Sequence, residues 1–153
     1  MANLKTKYLG LELKNPIIVG ASNLVTDLEM LKKLEKAGAS AIVYKSLFEE
    51  QIQLEEYEHD EGLEEYSERN PEMVNIFPDI KHAGPAEFLL NFKKAKEALS
   101  IPLIASLNAV YAVSWLDYAK KLEEAGADAL ELNFYAVPKK TGVVANTIEE
   151  EQV

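Results

Sequence analysis

The sequence contains no cysteine, and this absence excludes several kinds of site at once. Disulfide frameworks, zinc ribbons, iron–sulfur clusters held by this chain and cysteine nucleophiles all need that residue. Nor is there an apolar stretch long enough for a signal peptide or a membrane span. We therefore expect a protein of the reducing cytoplasm that is not bound to a membrane.

Basic residues are also scarce, because 16 Lys and Arg stand against 26 Asp and Glu, which gives a net charge of −10. Nucleic-acid binding needs clustered Lys and Arg, so the composition opposes it. Ten acidic residues lie between positions 49 and 68, and no basic residue lies among them. The acidic stretch, residues 49–69, is too long for an ordinary βα loop and is predicted to be an insertion. We expect a solvated helix or mobile lid there, with an acidic docking surface as the alternative.

Three familiar motifs are missing as well: a P-loop, a dinucleotide-binding glycine fingerprint and a Gly-x-Ser-x-Gly elbow. Nucleotide hydrolysis, Rossmann-type redox chemistry and serine hydrolysis therefore lose their usual support. The two histidines, His59 and His82, have no spacing that makes a metal pair. We expect both on the surface, and no metal site is predicted.

What the sequence does contain is an internal repeat. Residues 32–43, KKLEKAGASAIV, recur as residues 120–131, KKLEEAGADALE. Each copy is typical of an amphipathic helix that ends at a glycine able to take the left-handed conformation, followed by a short apolar strand. The repeat predicts one helix-to-strand unit that is used twice.

Other segments extend this alternation of strands and helices. Thr26 and Glu29 match a capping box at the start of the first helix, and another helix is predicted from about Pro85 to Leu99. Residues 8–16 alternate like a small hairpin placed to plug the bottom of a barrel. Four short apolar strands suit a parallel sheet that is buried on both faces: 17–20, 41–44, 103–106 and 129–132.

These elements predict an α/β fold of about four βα units. Eight such units, in about 250 residues, close a barrel. We therefore predict that residues 1–153 form the N-terminal half of a parallel (β/α)8 TIM barrel, with an N-terminal β-hairpin. The open edges of such a sheet need a cover, so either another chain completes it or the chain is a fragment.

Polar or small residues follow every predicted strand, where sites form in β/α barrels. Ala21 and Ser22 follow the first strand and let a planar ligand approach the backbone. Lys45 and Ser46 follow the second, where an ammonium can stabilise negative charge on a bound ring. The third and fourth strands add hydroxyl and amide groups: Ser106, Asn108 and Asn133. Each alone has an ordinary explanation as a loop or solvated residue, but four strands together indicate a ligand site.

Read in order, four segments resemble the dihydroorotate dehydrogenase family: LKNPIIVGAS (13–22), AIVYKS (41–46), IPLIAS (101–106) and ALELN (129–133). The resemblance covers nearly the whole chain. It implies a barrel that binds flavin mononucleotide (FMN), and it carries over a set of cofactor-binding residues: Ala21, Ser22, Lys45, Ser46, Ser106 and Asn133. Lys45 is implied to contact both the pyrimidine end of the flavin and the substrate. Asn75 corresponds weakly to a substrate-binding asparagine, because its surroundings align poorly.

The reaction implied by the resemblance is CH–CH oxidation of dihydroorotate or a related dihydropyrimidine, a step of pyrimidine biosynthesis. A proton leaves one carbon and a hydride passes from its neighbour to the flavin, while Lys45 stabilises the reduced ring. The chain departs from the family at Ala136, where a Cys or Ser general base is expected, and at Pro138, where an asparagine holds substrate. Tyr135 offers a neighbouring hydroxyl, but a phenol with a pKa of about 10 is a poor base at neutral pH.

The family's flavin phosphate site comes from the last strands of the barrel, which these 153 residues do not include. Three hypotheses therefore stay open. The chain is half of a flavin-dependent dehydrogenase-like barrel that is active only with its C-terminal half, or a half-barrel homodimer that serves as a binding or structural module without catalysis. The third is a barrel of other chemistry, such as a flavin-dependent tRNA-modifying synthase, which the acidic balance opposes.

Overall fold

The computed structural model describes residues 3–49, 84–108 and 110–134, which form strands and helices in alternation. Two short strands come first, β1 (Thr6–Tyr8) and β2 (Leu11–Leu13). The other elements follow in chain order: β3 (Ile18–Val19), a 3₁₀ helix (Asn23–Val25), α1 (Leu28–Lys36), β4 (Ala41–Val43), β5 (Leu47–Phe48), α2 (Pro85–Ala98), β6 (Leu103–Asn108), α3 (Ala112–Glu124) and β7 (Ala129–Leu132). None of these described helices is long and apolar enough to span a membrane.

The main sheet is parallel, and its strands lie side by side in chain order. β3 pairs with β4, β4 with β6, and β6 with β7, while β5 continues along β6 where β4 ends. Within the described residues, β3, β5 and β7 each pair with only one strand of this sheet. Successive parallel neighbours linked through helices are the arrangement of consecutive units in a β/α barrel. The predicted α/β fold, a partial barrel with an N-terminal hairpin, is confirmed.

The N-terminal hairpin covers the amino end of one sheet face. β1 and β2 are antiparallel, and the two residues between them, Leu9 and Gly10, have φ of 51° and 79°. Two positive φ angles in succession are those of a type I′ turn, whose twist suits a tight hairpin. Leu13 is buried against Ala41 and Ile104, on the face away from the helices. The hairpin therefore lies where a plug at the bottom of the barrel was predicted.

The opposite face of the sheet carries the main hydrophobic core. Tyr44, in the segment between β4 and β5, makes edge-on ring contacts with Phe88 at 5.5 Å and Phe92 at 5.3 Å. Leu103 and Leu122 are fully buried in the same cluster. The helices are thus held to the sheet by apolar burial, which contributes about 25 cal/mol for each Å² removed from water.

The internal repeat folds as predicted in both copies. α1 and α3 each end at an alanine cap, and each cap is followed by a glycine with positive φ, 109° at Gly38 and 96° at Gly126. Glycine takes this left-handed conformation without the steric cost of a Cβ. The same local device therefore turns the chain from helix to strand twice.

A polar residue two positions after each glycine ties the repeat to the preceding unit. In the first copy, Ser40 Oγ accepts a hydrogen bond from Asn15 N at 2.9 Å. In the second copy, Asp128 Oδ2 accepts from Leu103 N at 2.7 Å. Both contacts satisfy backbone donors at the amino end of the sheet. Residues at this end of a β/α barrel stabilise the fold, whereas binding sites form at the carboxyl end.

Two local predictions differ from the structure. The capping box at Thr26 is wrong, because the N-cap of α1 is Asp27, whose carboxylate accepts from Met30 N at 3.0 Å. A carboxylate interacts more strongly than a hydroxyl with the positive end of a helix, and the Thr26 hydroxyl instead donates to Asn23 O. The third parallel strand extends to Asn108, two residues further than predicted, because β5 pairs with its end.

Candidate functional site

One extra residue interrupts the second parallel strand between β4 and β5. Val43 lies opposite Ile104, whereas Leu47 lies opposite Leu107. Four steps along one strand thus match three steps along β6, so the segment 44–46 contains one inserted residue. Such a β-bulge redirects side chains and is common beside active sites.

The insertion brings two consecutive residues opposite Ser106. Tyr44 and Leu47 both pack in the helix-side core, so the regular alternation of side chains is broken between them. Ser46 Oγ lies 2.8 Å from Ser106 Oγ, on the face away from the helices. Lys45 is half-buried beside it, and among the described residues its ammonium has no hydrogen-bond or ion-pair partner. The bulge thus places an available cation next to a polar network.

Ser106 is fully buried and forms the centre of this network. Its hydroxyl donates to Glu131 Oε1 at 2.8 Å, because a carboxylate accepts and does not donate. Having used its one proton, Ser106 Oγ accepts from Asn133 Nδ2 at 3.0 Å and from the Ser46 hydroxyl at 2.8 Å. The three bonds use the full capacity of the hydroxyl, so Ser106 orients its three neighbours. A direct bond from Ser106 to flavin stays a prediction.

The strands before and after the network place the remaining predicted residues. Asn133 continues the ladder beyond β7, since its backbone N donates to Leu107 O at 3.1 Å. Ala21 and Ser22 are exposed after β3. A Cβ added at Gly20 meets nothing within 4 Å, so the space beside this loop is open. The structure therefore brings together Lys45, Ser46, Ser106 and Asn133. It places Ala21 and Ser22 at the open side of the rim, and no hydrogen bond between these two residues and the other four is described.

Several predicted residues lie outside the described residues. They are the substrate-binding candidate Asn75, the residues after the fourth strand (Tyr135, Ala136 and Pro138), both histidines (His59 and His82), and the acidic segment from residue 50 onward. Their roles stay predictions. Within the described ranges, no group of His, Asp and Glu side chains is placed to hold a metal ion.

Glu49 is the first residue of the predicted acidic insertion, and the rest of that insertion lies outside the described residues. Its side chain is buried, with Oε2 accepting from Val110 N at 3.1 Å and Oε1 accepting from Ser114 Oγ at 2.8 Å. Both donors lie at the start of α3, where unpaired N–H groups and the helix dipole favour a carboxylate. Glu49 therefore ties the end of β5 to α3. Its position in an acidic run concealed this role, because the partners lie more than sixty positions away.

A cavity of about 130 Å³ lies on the helix side of the sheet, between α1 and α2. Tyr44, Asn91 and Lys94 are among its lining residues, and none of the predicted site residues lines it. Burial raises the pKa of the Tyr44 phenol. The cavity is separated by the sheet from the Ser106 network, so it is distinct from the candidate site.

A parallel sheet with helices on one face defines a partial β/α barrel, and its carboxyl ends carry a rim of polar side chains. No model of a known protein family matches the chain. The similarity to individual proteins is more specific. The chain is 30% identical over 140 residues to the catalytic subunit of dihydroorotate dehydrogenase B (NAD(+)) from Thermoplasma volcanium, which covers 87% of this chain and 42% of the relative.

Two further relatives with the same name agree. The protein from Thermoplasma acidophilum is 26% identical over 140 residues, with 87% of this chain and 42% of the relative covered. The protein from Methanocaldococcus jannaschii is 26% identical over 140 residues, with 85% and 41% covered. The chain thus spans less than half the length of these curated relatives. The chain is thus similar to dihydroorotate dehydrogenase catalytic subunits, as its four sequence segments indicated.

Solved structures resemble the chain only distantly. The carboxyl transferase domain of Rhizobium etli pyruvate carboxylase with pyruvate has a TM-score of 0.39 at 17% identity, covering 77% of this chain and 17% of that one. The same domain with 3-hydroxypyruvate has a TM-score of 0.41 at 16% identity, covering 77% and 17%. These values are too low to support an argument about function.

Proposed function

We propose that this chain supplies the ring-binding half of an FMN site in a dehydrogenase-like barrel that oxidises a CH–CH bond of dihydroorotate or a related dihydropyrimidine. The observation that carries the proposal is the rim network, in which Ser106 orients Ser46 and Asn133 beside the available ammonium of Lys45. The similarity to three catalytic subunits of dihydroorotate dehydrogenase B supports the reaction class. We also propose that the protein is cytoplasmic and acts in pyrimidine biosynthesis.

The described residues fit a flavin ring in charge, polarity and space. A flavin supplies hydride acceptance when bound. Lys45 is half-buried at the rim, where an ammonium is worth more than in bulk water for stabilising negative charge on a reduced ring. Ala21 and Ser22 leave open space for a planar group beside β3. Ser46 and Asn133 are held by Ser106, so they present their remaining polar groups without rearrangement.

The general base and the flavin phosphate site of the family are expected in the rest of the barrel. A methyl group at Ala136 cannot accept a proton, so this chain does not provide the general base at the family's position. The family's flavin phosphate is bound by the last barrel strands. We propose that a C-terminal half, in the same or another polypeptide, brings both and covers the edges of β3 and β7.

The test is a titration of the purified chain with FMN and with riboflavin, followed by quenching of flavin fluorescence. Because this half contacts the ring and not the phosphate, we expect weak, saturable binding with similar dissociation constants for both compounds. Lys45→Ala removes a charged hydrogen-bond donor and weakens binding about 10- to 100-fold. Lys36→Ala, which removes an exposed ammonium at the end of α1, is the matched control and leaves binding unchanged.

Each outcome of the titration separates the parts of the proposal. No saturable quenching by the wild-type chain up to millimolar flavin overturns the ring-binding role. Equal weakening by the Lys45 and Lys36 variants shows that binding reflects overall charge. A strong preference for FMN over riboflavin contradicts the assignment of the phosphate site to the other half.

A second candidate function is a non-catalytic half-barrel that self-associates. It is favoured by exposed apolar residues near the β7 edge, among them Val113 at 78%, Leu116 at 76% and Phe134 at 54% exposed. A second copy placed on these residues buries apolar surface and covers an open edge. Sedimentation equilibrium that returns a dimer, combined with no flavin quenching, favours this function over the first. A clean monomer removes it.

A further inference from the structure

Asn108 is a largely buried residue, and its side-chain amide lies at the carboxyl end of β6. The residue is 7% exposed, and among the described residues neither its oxygen nor its nitrogen has a partner. Because no fully enclosed side-chain nitrogen or oxygen in the described part of the chain lacks a partner, the amide of Asn108 keeps some contact with solvent. A ligand that covers this residue has to pair with its amide, because an amide buried without a partner costs about 1–3 kcal/mol.

The position of Asn108 directs the amide to the candidate site. It is two residues beyond Ser106 on β6, and side chains of a strand alternate, so both lie on the face away from the helices. Asn133 follows Leu132, which pairs with Leu107, so the two asparagines stand side by side on neighbouring strands. Such neighbours are about 4.8 Å apart. Lys45 lies on the other side of β6, opposite Ser106.

The free hydrogen-bonding groups of this rim have a defined character. Asn108 offers a full amide, with two donor hydrogens and an acceptor oxygen. One hydrogen of Asn133 is used on Ser106, which leaves its second hydrogen as a donor and its oxygen as an acceptor. Lys45 offers only donors. A ligand edge that matches these groups carries both carbonyl oxygens and a ring N–H.

We infer that Asn108 is a specificity-determining residue that pairs with a cyclic amide or imide edge of the bound ring. Its nitrogen donates to a ring carbonyl and its oxygen accepts from the adjacent ring N–H, the two-point pairing that an amide side chain makes with a heterocycle. Lys45 donates to a neighbouring carbonyl. The inference rests on the proposed function, because the flavin ring is the imide it would bind first, and it adds a residue that the family resemblance does not assign.

The test compares riboflavin with 3-methylriboflavin, in which the imide N–H is blocked by a methyl group. We expect the wild-type chain to bind riboflavin about tenfold more tightly, the value of one neutral hydrogen bond that leaves its partner unsatisfied. Asn108→Ala abolishes this preference and binds both compounds with equal affinity. Asn91→Ala, a half-buried amide on α2, is the matched control and retains the tenfold preference. Thermal unfolding of each variant checks that the fold is retained.

The outcomes separate the inference from the proposed function. Retention of the tenfold preference in Asn108→Ala overturns the inference and leaves the flavin proposal standing. If the wild-type chain binds neither flavin, the proposed function fails. The inference is then tested with orotate, a cyclic imide of another class. The probe is the side-chain NH₂ signal of Asn108 in ¹⁵N spectra, assigned by its loss in Asn108→Ala. A saturable shift with orotate sustains the inference without flavin, and no shift overturns it.

Discussion

The two ends of the parallel sheet use their polar residues in opposite ways. At the amino end, Ser40 and Asp128 each accept a backbone N–H from the preceding unit, and Glu35 Oε1 accepts from Ser100 N at 2.9 Å. These side chains complete the fold. At the carboxyl end, Lys45 and Asn108 have no partner among the described residues.

The difference shows how one scaffold separates stability from binding. Polar groups at the amino end satisfy the backbone, so they add to the free energy of unfolding. Polar groups at the carboxyl end are arranged by Ser106 but keep donors and acceptors available for a ligand. The division agrees with the placement of sites at the carboxyl ends of barrel strands.

The largest expected effect comes from a matched pair of truncations on β6. Ile104→Ala, at the apolar end of the inner face, lowers the free energy of unfolding by about 2–5 kcal/mol because it leaves a cavity. Ser106→Ala, two residues further along the same face, lowers it by about 1–2 kcal/mol, yet weakens riboflavin binding about tenfold, because Ser46 and Asn133 lose their orienting partner. Urea unfolding and the flavin titration measure both. Equal losses in the free energy of unfolding for Ile104→Ala and Ser106→Ala would contradict the proposed difference between the two positions.

A smaller effect is expected from the two equivalent positions of the internal repeat. Asp128→Ala removes the acceptor for Leu103 N and the ion pair with Lys96, and it lowers the free energy of unfolding by about 1–3 kcal/mol. Ser40→Ala removes a neutral acceptor, so about 0.5–1.5 kcal/mol is expected. Neither substitution changes flavin binding.

The control for this pair is Asp117→Ala, which breaks an exposed ion pair with Lys121 on α3. Such surface pairs contribute about 0.5 kcal/mol or less. A loss from Asp117→Ala as large as that from Asp128→Ala would show that charge, rather than the held backbone donor, matters at the amino end.

The smallest expected effect is a pH dependence at Glu35. The hydrogen bond from the Ser100 hydroxyl holds the pKa of Glu35 below its ordinary value of 4.5. A lowered folded-state pKa means that the contact stabilises the fold above pH 4.5 and that this stability is lost as the pH falls through the lower, folded value. Glu35→Gln therefore flattens the acid side of the stability profile, measured by urea unfolding at several pH values. Glu124→Gln, an exposed carboxylate on α3, leaves the profile unchanged.

Much of the fold was predictable because it depends on local signals. The glycines at 38 and 126, the hairpin alternation and the short apolar strands each act within a few residues, and all were found where expected. The site was predictable in part. Lys45, Ser46, Ser106 and Asn133 were identified because strand ends meet at one rim in parallel sheets.

What the sequence did not reveal depends on long-range pairing. Glu131 was counted as part of a strand, and its bond to Ser106 joins neighbouring strands. Glu49 was included in the predicted acidic insertion, but the hydrogen-bond donors to its carboxylate come from the start of α3. The inserted residue near Lys45 becomes visible only when the register of β4 and β5 against β6 is compared. No pattern within one segment carries this information.

The inserted residue also makes chain length at this point a constraint separate from residue identity. β4 and β5 pair with the same neighbour in two different frames, and Leu47 is buried only because the second frame is shifted by one residue. Deleting one residue between positions 44 and 46 leaves three steps opposite the three steps from Ile104 to Leu107, so Leu47 keeps its place in the core and the bulge disappears. Such a deletion removes the additional residue opposite Ser106, whereas a substitution in this segment changes one side chain and leaves the bulge in place. Among homologous chains, variation here is therefore expected in residue type and not in length.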